Sequence, residues 1–195
     1  GTLQNQNPGS ATDMYNTAVG HEAGNDVTTG INNTLIGGLA GDAITTGDSN
    51  TAVGAYAMTT LTTGDHNVAV GTSALDVTTT GSQNVAVGRD ALGANTTASD
   101  NTAVGYQALK VNTTGTSNTA VGSLAGDAIT TGDLNVCIGN SAGSAITTHS
   151  NNVAIGAYAM DAGIGDNNVA VGSGALGGSS LASGDNIAIG TDTLN

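Results

Sequence analysis

Residues 50–66 read NTAVGAYAMTTLTTGDH, and residues 67–83 repeat the pattern as NVAVGTSALDVTTTGSQ. The same motif recurs on both sides of this pair along the chain. Its asparagines are Asn16, Asn33, Asn50, Asn67, Asn84, Asn101, Asn118, Asn135, Asn152, Asn168 and Asn186. The spacing is 17 residues, except for the last two steps of 16 and 18 residues. The sequence therefore predicts a tandem array of eleven similar units.

We number each unit from its Asn as position 0. Position 1 is Thr, Val or Ile, position 2 is Ala except at Leu35 and Cys137, position 3 is Val or Ile, and position 4 is Gly. Side chains alternate between the two faces of a strand. We therefore expect the β-branched positions 1 and 3 to face inward. The small position 2 would then face outward, where it would let another chain approach closely.

Position 4 is Gly in every unit, and position 14 is Gly in most units. These glycines predict turns. We expect a second short strand at positions 10–13, so that two strands and two turns complete one coil. The predicted fold is all-β, a parallel β-solenoid stabilised by stacking of its coils. Residues 16–195 form this repeat domain, and residues 1–15, with Pro8, are an N-terminal cap, a linker or disordered. The predicted structural columns are Asn50, Asn67, Asn84, Asn101 and Asn118, then Val53, Val70, Val87 and Val104, and then Gly54, Gly71, Gly88 and Gly105.

The composition excludes several classes of partner. The formal net charge is −13, and Arg89 and Lys110 are the only strong cations. Binding to nucleic acid needs clustered Lys and Arg to neutralise phosphates, and binding to anionic lipid needs a similar basic patch. No apolar run is long enough for insertion into a membrane. We expect neither nucleic acid nor a membrane as a partner.

Two stretches of the chain resemble a known family. The sequence NNVAIG at residues 151–156 and DNNVAVG at residues 166–172 are similar to the head repeats of trimeric autotransporter adhesins, the YadA-like heads. NTAVGYQAL at residues 101–109 also resembles repeats of phage tail fibres. The resemblance implies a left-handed β-roll, a homotrimer and attachment to a host or surface glycan or protein. It also implies an extracellular, cell-surface or virion location.

Catalytic chemistry finds little support in the sequence. His21, His66 and His149 fall at different positions of distant units, so we do not expect them to converge, and we predict no enzyme activity and no cofactor. Asp48, Asp65, Asp133 and Asp166 lie two residues before an Asn. They are weak candidates for calcium ligands, with solvated turns as the alternative.

Thr and Tyr side chains form the candidate ligand surface. Threonine pairs occupy positions 12 and 13 in eight consecutive units, and a regular Thr ladder on a flat solenoid is typical of ice binding; Thr46, Thr63 and Thr80 belong to it. Tyr56, Tyr106 and Tyr158 follow the first strand, and exposed Tyr suits contact with carbohydrate or protein. The sequence favours a structural and adhesive fibre segment. An ice-binding solenoid and a self-assembling filament subunit remain as alternatives.

Overall fold

Every unit contributes one three-residue strand to a single sheet. A computed structural model describes residues 1–7, 13–162, 165–178 and 184–194. The strands are β1 Thr17–Val19, β2 Thr34–Ile36, β3 Thr51–Val53, β4 Val68–Val70, β5 Val85–Val87, β6 Thr102–Val104, β7 Thr119–Val121, β8 Val136–Ile138, β9 Val153–Ile155, β10 Val169–Val171 and β11 Ile187–Ile189.

The strands pair in chain order, and all ten pairings are parallel and in register. Thr51 pairs with Val68, for example, so equivalent residues stack on successive coils. The parallel β-solenoid predicted from the repeat is thereby confirmed. Eleven rungs at about 4.8 Å place the first and last strands about 48 Å apart. The described residues include no helix, and thus none long and apolar enough to cross a membrane.

The prediction of a second strand at positions 10–13 is wrong for the described residues, which hold one strand per coil. The rest of each coil is built from tight turns, many of them around residues with positive φ at positions −1, 6 and 8. In one coil these residues are Ser49, Tyr56 and Met58, with φ between 57° and 61°. Positions 10–13 themselves form a turn and a bend. The N–H groups of Thr45 and Thr46 both donate to the carbonyl of Thr62, so no regular strand ladder forms there.

The predicted orientation of the strand is also wrong. Position 2 faces inward: Ala52 and Ala69 are completely buried, and so are Leu35 and Cys137 in the same column. Positions 1 and 3 face outward, and Val70 keeps 37% of its surface exposed. The predicted core residues Val53, Val87 and Val104 are likewise only half-buried. Each coil is too narrow to enclose two β-branched side chains per strand, and Ala fits the small space inside.

The core of the solenoid consists of three stacked columns. The first is the column of position 2, which is mostly Ala. The second is the column of position 7, where Ala is buried in ten consecutive coils from Ala23 to Ala175. The third is built jointly by positions 8 and 11. Where position 8 is Gly, as at Gly41, position 11 is a buried aliphatic residue such as Ile44. Where position 8 is Leu, as at Leu92, position 11 is a smaller polar residue such as Asn95.

The N-terminal residues lie against the first coil. The backbone N–H groups of Leu3, Asn5 and Asn7 donate to the carbonyls of Ala23, Asn25 and Thr28. Leu3 packs against the core, at the place that position 8 occupies in a complete coil. Residues 1–7 therefore cover part of the first coil as an incomplete rung would. Pro8 lies outside the described residues.

Candidate functional site

The asparagines of position 0 join each coil to itself and to the next coil. Asn118 Nδ2 donates to the carbonyl of Gly132 in the same coil at 2.7 Å, and Asn118 Oδ1 accepts the backbone N–H of Asn135 at 2.9 Å. Asn50, Asn67, Asn84 and Asn101 make the same two bonds. Because these side chains are buried, each amide satisfies backbone groups that water cannot reach. The column is architectural.

The glycines of position 4 let the backbones of successive coils approach closely. Gly105 has a φ of 143°, and a Cβ atom built on it would lie 2.2 Å from the carbonyl oxygen of Gly122. Gly54, Gly71 and Gly88 have the same geometry, with distances of 2.5, 2.6 and 2.3 Å to the next carbonyl oxygen. A side chain at this position conflicts with both the local backbone and the neighbouring coil.

The outward side chains of positions 1 and 3 form one continuous surface, which we call the outer face. It runs along all eleven strands, β1 to β11, and presents two rows of β-branched side chains. Position 3 is Val or Ile throughout, position 1 is Thr, Val or Ile, and neither row contains a charged residue. Sequence reasoning missed this surface. The sequence did contain a sign of it. The residue at position 2 is almost always Ala, and a small residue in every coil fits a thin core better than a subunit contact.

The Thr pairs divide their roles between the two positions. At position 12 the hydroxyl groups donate along the stack, as from Thr62 Oγ1 to the carbonyl of Thr79 at 3.0 Å. At position 13 the side chains of Thr46, Thr63 and Thr80 are exposed, and so are those of the other five coils with a Thr pair. One ladder of hydroxyl and methyl groups therefore faces the solvent over eight coils.

The aspartates of position −2 cap backbone groups of the preceding coil. Asp65 Oδ1 accepts the N–H of Asp48 at 2.8 Å, and Asp133 Oδ1 accepts the N–H of Thr116 at 2.6 Å. Asp48 and Asp166 cap Ile31 and Ser150 in the same way. Ser82 Oγ performs this role for Asp65 at 3.0 Å, which explains why both Asp and Ser occur in the column. In the described chain, no three His, Cys, Asp or Glu side chains are arranged to hold a metal ion.

The histidines and tyrosines lie apart from one another along the rod. His21 and His66 are exposed, and His149 lies on a coil far from both. Tyr56, Tyr106 and Tyr158 are about half exposed, at 50%, 46% and 52%. Arg89 Cζ lies 6.0 Å from the centroid of the Tyr106 ring. The three histidines lie on different coils.

Burial shifts three titratable groups. Burial raises the pKa of the Cys137 thiol to about 12, and the nearby Asp127 carboxylate adds to the effect, so this free thiol is neutral and inert at neutral pH. Burial also raises the pKa of Asp127, against a smaller opposing effect of Lys110. The pKa of Asp42 is raised by burial, with added repulsion from Asp26 and Glu22. Asp127 and Cys137 lie on neighbouring coils, whereas Asp42 lies on a distant coil.

Comparison of the chain with protein-family models, curated proteins and solved structures gives no match. The fold and its surfaces define a class: a β-solenoid repeat protein with a 17-residue coil and an uncharged outer face.

Proposed function

We propose that this chain is a non-enzymatic segment of a homo-oligomeric surface fibre, with a structural and adhesive role. The outer face is the observation that carries the proposal. It is about 48 Å long and roughly 10 Å wide, on the order of 500 Å² of mostly aliphatic surface. Contiguous apolar patches of this size on soluble proteins are often interaction sites.

A second copy of the chain is the partner that fits this face best. The outer face is uncharged, whereas the whole chain carries a net charge of −13, so copies repel each other except where uncharged surfaces meet. Two copies also share the same rung spacing of about 4.8 Å, so their rows can pack against each other along their whole length. Three rods around one axis would bury every outer face. The resemblance to trimeric adhesin heads supports this number of copies and an extracellular, cell-surface or virion location.

Sedimentation equilibrium tests the association. We expect three times the chain mass for the wild type and a single chain for Val70→Lys/Val104→Lys, which places charges on the outer face. The matched control, Thr63→Lys/Thr97→Lys, adds the same charge on the exposed Thr ladder and should remain trimeric. A monomeric wild type would overturn the proposal. Species that grow without limit would point instead to the self-assembling filament.

The exposed Thr ladder supports ice binding as a second candidate. The ladder consists of Thr29, Thr46, Thr63, Thr80, Thr97, Thr114, Thr131 and Thr148, all exposed. Regular spacing of methyl and hydroxyl groups on a rigid surface is the feature that an ice lattice can match. Thermal hysteresis that Thr80→Lys abolishes would favour this function. The absence of hysteresis at high protein concentration would remove it.

A further inference from the structure

A notch interrupts the regular surface of the solenoid at Gly93. Position 9 carries a side chain in the neighbouring coils, where it is Thr59, Asp76, Lys110 and Asp127, and Gly93 leaves a gap in that column. The gap opens into a cavity of about 340 Å³. This volume lies at the lower end of the range for small-molecule sites, about 300 to 1,000 Å³.

Charged groups stand on both sides of the notch. Asp76 and Lys110 lie one coil below and one coil above Gly93, about 9.6 Å apart along the stack. Lys110 is the only lysine of the chain, and it forms no ion pair within the part of the chain that the structure describes. Its ammonium group therefore keeps its donors for a ligand or for water.

Each of the two carboxylates of the notch already has one oxygen with a hydrogen-bond partner. Asp90 Oδ2 lies 3.4 Å from Arg89 Nε and accepts a hydrogen bond from Gln107 Nε2 at 3.3 Å. Asp76 Oδ1 accepts a hydrogen bond from Thr59 Oγ1. The second oxygen of each carboxylate has no hydrogen-bond partner among the described residues, so both remain acceptors. Such acceptors suit neutral hydroxyl donors.

An apolar wall completes the site. Ala94 and Val111, at position 10 of adjacent coils, line the notch together with Asp90 and Ser73. A ligand that fits must combine several hydroxyl groups with a C–H face, which is the chemistry of a sugar ring. Since the notch lies at positions 6, 9 and 10, it remains open when the outer face at positions 1 and 3 is covered.

We propose that the notch around Gly93 binds one neutral hexose unit of a glycan, with Asp76 and Asp90 accepting from its hydroxyl groups and Lys110 donating to them. The proposal deepens the adhesive role proposed above and rests on it. The ligand class is carbohydrate, and the place of binding is the surface around Gly93.

Ligand-observed saturation-transfer NMR tests the site, with the methyl glycosides of glucose, galactose, mannose and N-acetylglucosamine as probes. We expect transfer to at least one glycoside with the wild type. Gly93→Thr should abolish it, because the new side chain fills the notch. This substitution should leave the fold intact, since Thr59 occupies the same position and a Cβ atom at Gly93 would contact only Asp90, at 3.2 Å from its carbonyl oxygen. Lys110→Met should weaken binding tenfold or more.

Ser144→Thr, at position 9 of a distant coil, is the matched control and should bind like the wild type. Transfer to none of the four glycosides would overturn the proposal, as would unchanged transfer with Gly93→Thr. Transfer to free alanine alone would assign the notch to a zwitterion instead. Sedimentation reports on the outer face and saturation transfer reports on the notch, so failure of one proposal is distinguishable from failure of the other.

Discussion

Leu35 fills the space that a side chain at Gly41 would need. A Cβ atom built on Gly41 would lie 2.7 Å from Leu35 Cδ2. The same relationship recurs where the column of position 2 has its other large residue, since a Cβ atom on Gly143 would lie 2.4 Å from Cys137 Sγ. In the coils with Leu or Met at position 8, the residue at position 2 is Ala. In these two coils, the large residue at position 2 takes the space of a side chain at position 8, and at Gly41 it shares that space with Ile44, whose Cδ1 would lie 2.8 Å from the added Cβ atom.

This relationship predicts a compensating pair of substitutions that exchange size between positions 2 and 8. Gly41→Leu should destabilise the protein by about 1 to 3 kcal/mol through overpacking, and Leu35→Ala by about 2 to 5 kcal/mol through a cavity. The double variant should lose at least about 1 kcal/mol less than the sum, because the new Leu fills the space left by Leu35. Chemical denaturation of all four proteins measures the coupling.

The backbone does not prevent this exchange. Gly41 has a φ of 58°, and Leu75, at the same position two coils further on, has a φ of 52°. Additive losses in the double variant would show that the two columns are independent.

The sequence was sufficient to predict the parallel solenoid, the one strand at the start of each coil and the column of Asn side chains at position 0 (the Asn ladder), because each follows from the period and from one residue type in one column. It was not sufficient for the direction of the strand. Alternation assigns position 2 and position 3 to opposite faces without saying which face is inside. The width of the coil decides that question. Ala52 is enclosed and Val53 is half-exposed because the interior is narrow.

The sequence also did not predict the left-handed backbone at position 6 or the notch at Gly93. Position 6 adopts a left-handed backbone with Tyr56, Ser73 and Asp90 alike, so residue type gives no sign of the tight turn that follows the strand. The notch at Gly93 was invisible for another reason. One missing side chain matters only when the neighbours in its column are known, and these are 17 residues away in the sequence.

Substitution of a glycine at position 4 should disrupt the stack. Gly105→Val places a Cβ atom 2.2 Å from the carbonyl oxygen of Gly122 and forces a branched residue to a φ of 143°, so we expect a loss of about 4 kcal/mol or more, or failure to fold. Gly38→Val is the matched control, because no atom lies within 4 Å of a Cβ built there, and it should melt within a few degrees of the wild type. Circular dichroism melting separates the two. Equal melting temperatures would contradict the close approach of the coils.

Removal of one rung of the Asn ladder should be costly. Asn118→Ala leaves the carbonyl of Gly132 and the N–H of Asn135 buried without their partner, which should cost about 2 to 5 kcal/mol. Asn118→Asp should be no better, since a carboxylate cannot donate to the carbonyl of Gly132. Asn140→Ala changes an exposed Asn and should have little effect. Urea denaturation gives the three values, and similar stability of all three variants would argue against the ladder.

Asp42 should make the protein less stable as the pH rises. Its Oδ1 is buried without a hydrogen-bond partner, and burial raises its pKa above the ordinary 3.8. A carboxyl group with a raised pKa in the folded state binds more protons there than in the unfolded state, so stability falls as the pH rises from about 4 through the raised pKa. Asp42→Asn should therefore increase the melting temperature at pH 7, and the gain should shrink toward pH 4. Asp161→Asn, at an exposed site, removes the same charge and corrects for the change in net charge. If both variants gained equally at both pH values, general charge repulsion would account for the effect, and the buried carboxylate would have no part in it.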